Sequence, residues 1–212
     1  MDISHALIAF TLTAGLLTIT PGMDTALVLR TAAVEGPRQA AKAASGIVLG
    51  ALTWGLAASV GLGALLSASQ LAYNILRIAG AAYLLYMGGQ MLLQAVRGKG
   101  YAGQEAAQRA ASARKPRSWF LRGMLTDLLN PKVGVFYVTF LPQFVPAYVN
   151  ATAFSMLLAG IHAVEGIVWF VLLIATTKTL SRWLVRPQVK RGLDGVSGVV
   201  LMGFGGLLLA RR

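Results

Sequence analysis

The stretch "TITPGMDTALVLR", residues 18–30, sets a Pro-Gly pair and an aspartate inside a run that otherwise has the character of a membrane-spanning helix. Proline removes one helical hydrogen bond and clashes with the preceding turn, and an ionised side chain at membrane depth costs about 2.5 to 3.5 kcal/mol on insertion scales. Both are tolerated only where protein or a water-filled cavity satisfies the groups they expose. The reading of this stretch therefore decides whether the first segment is a plain span or the wall of a site.

Around it, the 212 residues are 56% hydrophobic and only 12% charged, which does not fit an ordinary soluble domain of that length. Windows such as 46–66 and 75–96 are as long and apolar as a bilayer crossing requires, roughly 20 residues each. Cysteine is absent, which excludes disulfides, thiol catalysis and thiolate metal sites. The N-terminus carries Asp2 and no basic residue, and nothing after the first apolar run resembles a small-residue cleavage site, so no removable signal peptide is expected.

Six segments are expected, at about 4–32, 40–66, 70–96, 118–142, 149–178 and 191–210, forming a single transmembrane domain over residues 1–212. The fold class is an all-α integral membrane protein with six transmembrane helices. A net charge of +12 would suggest nucleic acid in a soluble protein, but the positions of the charges decide against it. Loops one, three and five and their flanks hold 15 of the 19 Lys and Arg residues, while loops two ("SASQ") and four ("PQFVPAYVN") hold none. This bias places the three basic loops in the cytoplasm and both termini outside, in the periplasm of a Gram-negative source. Within the basic third loop, 97–117, "EAAQRAASARK" has two readings: a solvated charge run that sets orientation, or a short interfacial helix on anionic lipid.

The fourth segment contains "TDLLNPKVGVFYV", with a proline as deep in its span as Pro21 is in the first. Thr20 and Asn130, the residues before the two prolines, are good helix N-caps, and proline suits the first helical position. Each segment is thus expected to be two half-helices, with the carbonyls of Leu17 and Asp127 freed. The prolines lie 131 − 21 = 110 residues apart, and each opens a block of three segments. Gly80 and Gly88 in the third segment are eight apart, as are Gly198 and Gly206 in the sixth. Three segments is an odd number, so a duplicated block sits upside down: a 3+3 inverted repeat, one half about 4–96 and the other about 118–210, with broken helices 1 and 4 meeting near the midplane.

A half-helix starting at Pro21 aims unpaired N–H groups and a positive dipole end at the membrane centre, where a substrate carboxylate would be stabilised. Asp24 is a partner for an ammonium or a proton, and Lys132 either binds a carboxylate or neutralises Asp24. The competing reading is that the prolines only bend the helices and that Asp24 and Lys132 pair permanently. In "GIHAVEGIVWF", His162, Glu165 and Trp169 share one helical face. Intramembrane ionisable residues often mark proton or substrate paths, which makes Glu165 the expected proton-exchange group, unless His162 merely hydrogen-bonds it. Asp127, one turn before Pro131, faces the same cavity or solvates the broken turn. The proton-coupling candidates are Glu165, Asp24, Asp127 and His162. "GIVLG", 46–50, has the small-xxx-small spacing of close helix packing within or between chains.

"TPGMD" at 20–24, "AGAAYLLYMGGQML" at 79–92, "LLNPKVGVFYVTFLPQFV" at 128–145 and "LDGVSGVVLMGFGGLLLA" at 193–210 together resemble the LysE/RhtB superfamily of bacterial amino-acid exporters, named for lysine and homoserine–threonine efflux. The resemblance covers nearly the whole chain. It implies efflux of amino acids or small derivatives across the inner membrane, driven by proton exchange, from a protein that works as a homodimer. The family's first motif falls on Thr20, Pro21, Gly22 and Asp24, and its second on Asn130, Pro131 and Lys132. The chain departs in having Met23 where a second proline is common, and carboxylates at Asp24 and Asp127 where asparagine is expected.

The expected function is a secondary transporter whose partners are a small amino acid, protons and membrane lipids, with no cofactor, metal or nucleic acid. A channel or an exporter of another solute or ion is the alternative. An intramembrane enzyme has less support: the chain has no cysteine, and its two histidines, His5 and His162, lie in distant segments without ligand spacing.

Overall fold

A computed structural model describes residues 2–68, 70–97, 118–146, 148–184 and 187–210. The interfacial-helix reading of 105–115 and the terminal Arg211 and Arg212 lie outside the described residues. Those that are described are helical or in turns, with no strand among them. The helices are α1 (Ile3–Ile19), α2 (Met23–Val34), α3 (Pro37–Ala68), α4 (Gln70–Arg97), α5 (Trp119–Leu128), α6 (Pro131–Val135), α7 (Ala151–Leu184) and α8 (Pro187–Ala210). A π-helical turn, Phe136–Phe140, and a 3-10 turn, Leu141–Phe144, continue α6.

Local chemistry sets the ends. Asp2 caps α1 by accepting the His5 N–H at 2.7 Å, Ser118 caps α5 through Leu121, and Asn150 caps α7 through Ala153. At the end of α2, Gly36 takes φ +92° and donates its N–H to the Thr31 carbonyl, a left-handed cap that a side chain would strain, and Pro37 then opens α3. The first segment breaks as expected: α1 and α2 meet at 50°.

The break itself corrects one expectation. Thr20 is not the N-cap of the second half-helix but the C-cap of the first, its hydroxyl donating to the Leu16 carbonyl at 2.6 Å. Gly22, extended at φ −150°, occupies the N-cap position, and Pro21 precedes it outside the helix. A threonine hydroxyl at the end of a helix finds the carbonyl four residues back, so Thr20 completes α1 and the chain needs another extended residue before restarting. At the second break Asn130 is the N-cap, accepting the Lys132 N–H at 3.1 Å, with Pro131 in the first turn.

Two apolar clusters fill the interior. The larger runs from Phe10 and Leu17 through Phe136, Tyr137, Phe140 and Phe144 to Leu201, with ring centroids 5.5 Å apart for Phe10–Phe144 and 4.5 Å for Phe140–Phe204. Phe144 thereby belongs to the core, although it stood in the expected fourth loop. The smaller joins Leu27 and Val28 of α2, Ala43 and Ile47 of α3, and Leu173 of α7. Outside, Ile8, Leu12, Val60, Ile75, Val171 and Val199 are each more than half exposed, the surface lipid contact requires. Among the described residues, two helical stretches, Pro37–Gly61 and Ala151–Thr177, are long and apolar enough to cross a bilayer, and the bent α1–α2 pair makes a third if taken as one span.

Glycine sets the helix crossings. A Cβ on Gly46 would sit 1.9 Å from the Phe120 carbonyl oxygen, and one on Gly123 would sit 1.9 Å from that of Ala43, so α3 and α5 touch backbone to backbone. The α4–α8 crossing is reciprocal. A Cβ on Gly88 would meet the Gly198 carbonyl oxygen at 2.7 Å and Met202, and one on Gly198 would meet that of Gly88 at 2.8 Å and Leu92. Gly195 likewise neighbours Ala95 while Gly205 neighbours Leu85. In these α4–α8 contacts, adding 110 to the α4 residue and subtracting 110 from the α8 residue generates the partner contact, the same offset as between the prolines. The expected glycine match is corrected accordingly: Gly88 matches Gly198, whereas Gly80 packs on Thr139 and Gly206 has nothing within 4 Å.

Neighbouring glycines supply a test. Gly88→Ala forces α4 from α8 and is expected to destabilise the protein by about 1 to 3 kcal/mol. Gly89→Ala, with nothing within 4 Å, should be neutral or stabilising by up to about 1 kcal/mol. Thermal unfolding in detergent measures both, and equal effects would contradict the crossing.

Candidate functional site

Pro21 has no N–H, so the Leu17 carbonyl loses its helical partner. Lys132 fills that place from the other break: Nζ donates to the Leu17 carbonyl and to the Thr20 carbonyl, both at 2.8 Å. The cation sits at the negative end of the α1 dipole, where such a charge is favoured. The Asp127 carbonyl freed by Pro131 is met locally instead, by the Asn130 N–H at 2.9 Å.

Asn130 ties the breaks a second time. Its Oδ1 caps α6, while its Nδ2 donates to Asp24 Oδ2 at 2.7 Å. Asp24 stands in the first turn of α2, whose N-cap Gly22 offers no side chain to cover the N–H groups there. The permanent Asp24–Lys132 pair that sequence allowed is not formed: Lys132 serves carbonyls and Asp24 serves Asn130.

Between the breaks lies a cavity of about 50 Å³ lined by Thr18, Thr20, Gly22, Asp24, Asp127, Lys132 and His162, with apolar walls from Leu17, Ile47, Val48, Ala51, Val133 and Phe170. Buried oxygens of three lining residues have no hydrogen-bond partner: Thr18 Oγ1, Asp24 Oδ1 and Asp127 Oδ2. The volume admits a few waters but falls well below the roughly 300 Å³ at which small-molecule pockets begin. The charged cavity is too small for an amino acid in this conformation.

The expected residues thus divide. Thr20, Gly22, Asp24, Asp127, Lys132 and His162 share the cavity, and Asn130 reaches it through Asp24. Pro21 and Pro131 shape the backbone without lining it. Glu165 is outside the lining, with Oε1 3.9 Å from where a Gly15 Cβ would lie. The competing reading, a His162–Glu165 hydrogen bond, is not what forms: His162 Nδ1 pairs with the Tyr137 hydroxyl at 2.9 Å, because Tyr137 is fully buried and its hydroxyl needs a partner. Tyr137 and Thr18 were missed from the sequence. A tyrosine in the apolar run after the second break, with one histidine at mid-segment, was the available signal. A second cavity, of about 410 Å³, lies on the other side of the second break among Trp54, Tyr83, Asn130, Pro131 and apolar neighbours, without a carboxylate or ammonium.

Lys132→Met keeps the length and apolar stem of the side chain but leaves two buried carbonyls without their donor. It is expected to lower stability in detergent by about 1 to 3 kcal/mol per unsatisfied group, read by thermal unfolding. An unchanged melting temperature would show that Lys132 does not hold the first break.

Residues 16–212 match the family model described as LysE type translocator. Over 201 residues the chain is 30% identical to the threonine efflux protein of Escherichia coli (strain K12), covering 92% of each. It is 29% identical over 188 residues to the leucine efflux protein of Enterobacter sp. (strain 638), covering 88% of this chain and 86% of that one. It is also 29% identical over 203 residues to the membrane protein YrhP of Bacillus subtilis (strain 168), covering 95% and 97%. No solved structure matches. The threonine and leucine relatives are efflux proteins rather than enzymes, and with residues 16–212 matched to the family model the chain is a membrane protein of the LysE family.

Proposed function

We propose that this protein exports amino acids across the bacterial inner membrane by proton-coupled alternating access. The observation that carries the reading is the cavity itself: two helix breaks bring an uncovered helix N-terminus, an ammonium and two carboxylates together inside the chain. A zwitterion needs both signs of charge at short range. The N-terminus of α2 beside Lys132 receives the carboxylate, Asp24 and Asp127 receive the ammonium, and Thr20, Gly22, Asn130 and the two prolines build the backbone around them. The larger cavity at Trp54 lacks both charges, which argues against it as the zwitterion site. The coupling proton is carried by one of the ionisable groups at this depth, Asp24, Asp127, Glu165 or His162.

The architecture we propose is a single transmembrane domain of six spans in a 3+3 inverted repeat. Reciprocal contacts at an offset of 110 support it, including Gly22 beside Lys132, themselves 110 apart. So does length: α4, with 28 residues, and α8, with 24, reach about 42 and 36 Å at 1.5 Å per residue. The Lys and Arg bias puts both termini outside. A homodimer in contact with lipid is the working form.

The halves differ in one respect that supports movement between them. Gly50 and Gly160 are 110 apart, yet a Cβ on Gly50 would meet Asp127 Oδ2 at 2.8 Å while one on Gly160 meets nothing within 4 Å. The α3–α5 seam is shut where its α7–α1 counterpart has room. In the opposite conformation α1 closes on α7 at Gly160.

Counterflow of the proteinogenic amino acids, L-leucine and L-threonine first, into proteoliposomes tests the function. Saturable counterflow of one of them, accelerated by an imposed pH gradient, is expected. A conductance in planar bilayers with no counterflow would favour a channel. Gly160→Leu should fold normally yet slow transport at least about tenfold, equivalent to about 1.4 kcal/mol against the closed α1–α7 state. Unchanged transport would contradict the exchange of seams.

A further inference from the structure

The coupling group follows from a count of charges and partners, given the transport reading above. Asp24, on α2, and Asp127, on α5, line one cavity, and each has a buried oxygen without a partner. Asp127 is only 1% exposed. The charged and titratable groups facing them are Lys132, on α6, and His162, on α7, whose Nδ1 is held by Tyr137. From α1 and α3 the lining carries only Leu17, Thr18, Thr20, Ile47, Val48 and Ala51. Two carboxylates and one ammonium leave one negative charge uncompensated, and His162 is the neighbour of neither oxygen by any hydrogen bond. An unpaired charge in such a place is too costly to persist, so one further cation is required.

We propose that Asp24 and Asp127 form one cation-exchange site, in which the coupling proton and the ammonium of the substrate replace each other. In the substrate-free form a proton sits on the pair. When the amino acid enters, its ammonium takes that place: the carboxylic acid loses its proton to water, the carboxylate forms an ion pair with the R–NH3⁺ group, and charge is conserved. Release of the amino acid on the far side lets a proton return. Coupling thus arises because the two cations exclude each other at a single place, and Glu165, outside the cavity, is not needed for it.

The test uses the full chain in detergent, weakly buffered, with a pH-indicator dye, and the amino acid that moves in counterflow. Native protein should release about one proton per molecule bound, and apparent affinity should weaken about tenfold for each pH unit lowered through the range where the pair holds its proton. Asp127→Asn and Asp24→Asn each leave one carboxylate balanced by Lys132, so each should abolish the release and flatten the pH dependence. Two variants keep the test alive if one does not fold. Glu165→Gln should still release its proton. Counterflow without proton release in the native protein overturns the shared site while leaving transport standing, as does release that survives in either aspartate variant or disappears in Glu165→Gln. Absence of counterflow for every amino acid overturns the transport reading and this inference with it.

Discussion

One ammonium group holds the centre of this molecule. Lys132 Nζ binds two carbonyls at the end of α1 at 2.8 Å each, that of Leu17, freed by a proline that offers no N–H, and that of the C-cap Thr20. Without such a donor a helix break at this depth would leave polar backbone bare in an apolar surrounding. Because the donor comes from residue 132, the first break can form only where the second break is beside it. Asn130 doubles the link through Asp24, so the two interruptions stabilise each other.

That mutual dependence explains why the charged cavity lies where it does. A helix restarting after an extended glycine presents its N-terminus uncapped, and a carboxylate in its first turn is favoured by the dipole. The elements around it are brought close by glycine, with α3 and α5 in contact at Gly46 and Gly123, and α4 and α8 at Gly88 and Gly198. Packing is therefore tight at these seams, whereas a Cβ on Gly160 would meet nothing within 4 Å. The alternating access we propose benefits from that inequality more than from uniform packing.

Much of this was legible beforehand, because the signals are covalent or compositional. Proline lacks an N–H wherever it stands, so both breaks and the freed Leu17 carbonyl could be placed from the chain alone. The Asn130 cap was readable for the same reason. What could not be read was partner choice. Thr20 turned back onto Leu16 instead of opening α2, Lys132 chose two carbonyls over Asp24, and His162 bonded Tyr137 over Glu165. In each case the decision depends on which side chain of a distant segment lies within reach, and helical spacing within one segment carries no information about that. The glycines show the same limit: their spacing pointed to Gly206, and only the α4–α8 crossing reveals Gly198 as the contact of Gly88.

The most direct measurement is an experimental structure with a bound amino acid, determined at a concentration that saturates counterflow. The expected result is an enlarged cavity between the two breaks, with the carboxylate of the ligand on the N–H groups that open α2 and near Lys132, and its ammonium between Asp24 and Asp127. An amino acid seated instead in the larger cavity beside Trp54 and Tyr83, with Lys132 still on its two carbonyls and the charged cavity unchanged, would contradict it.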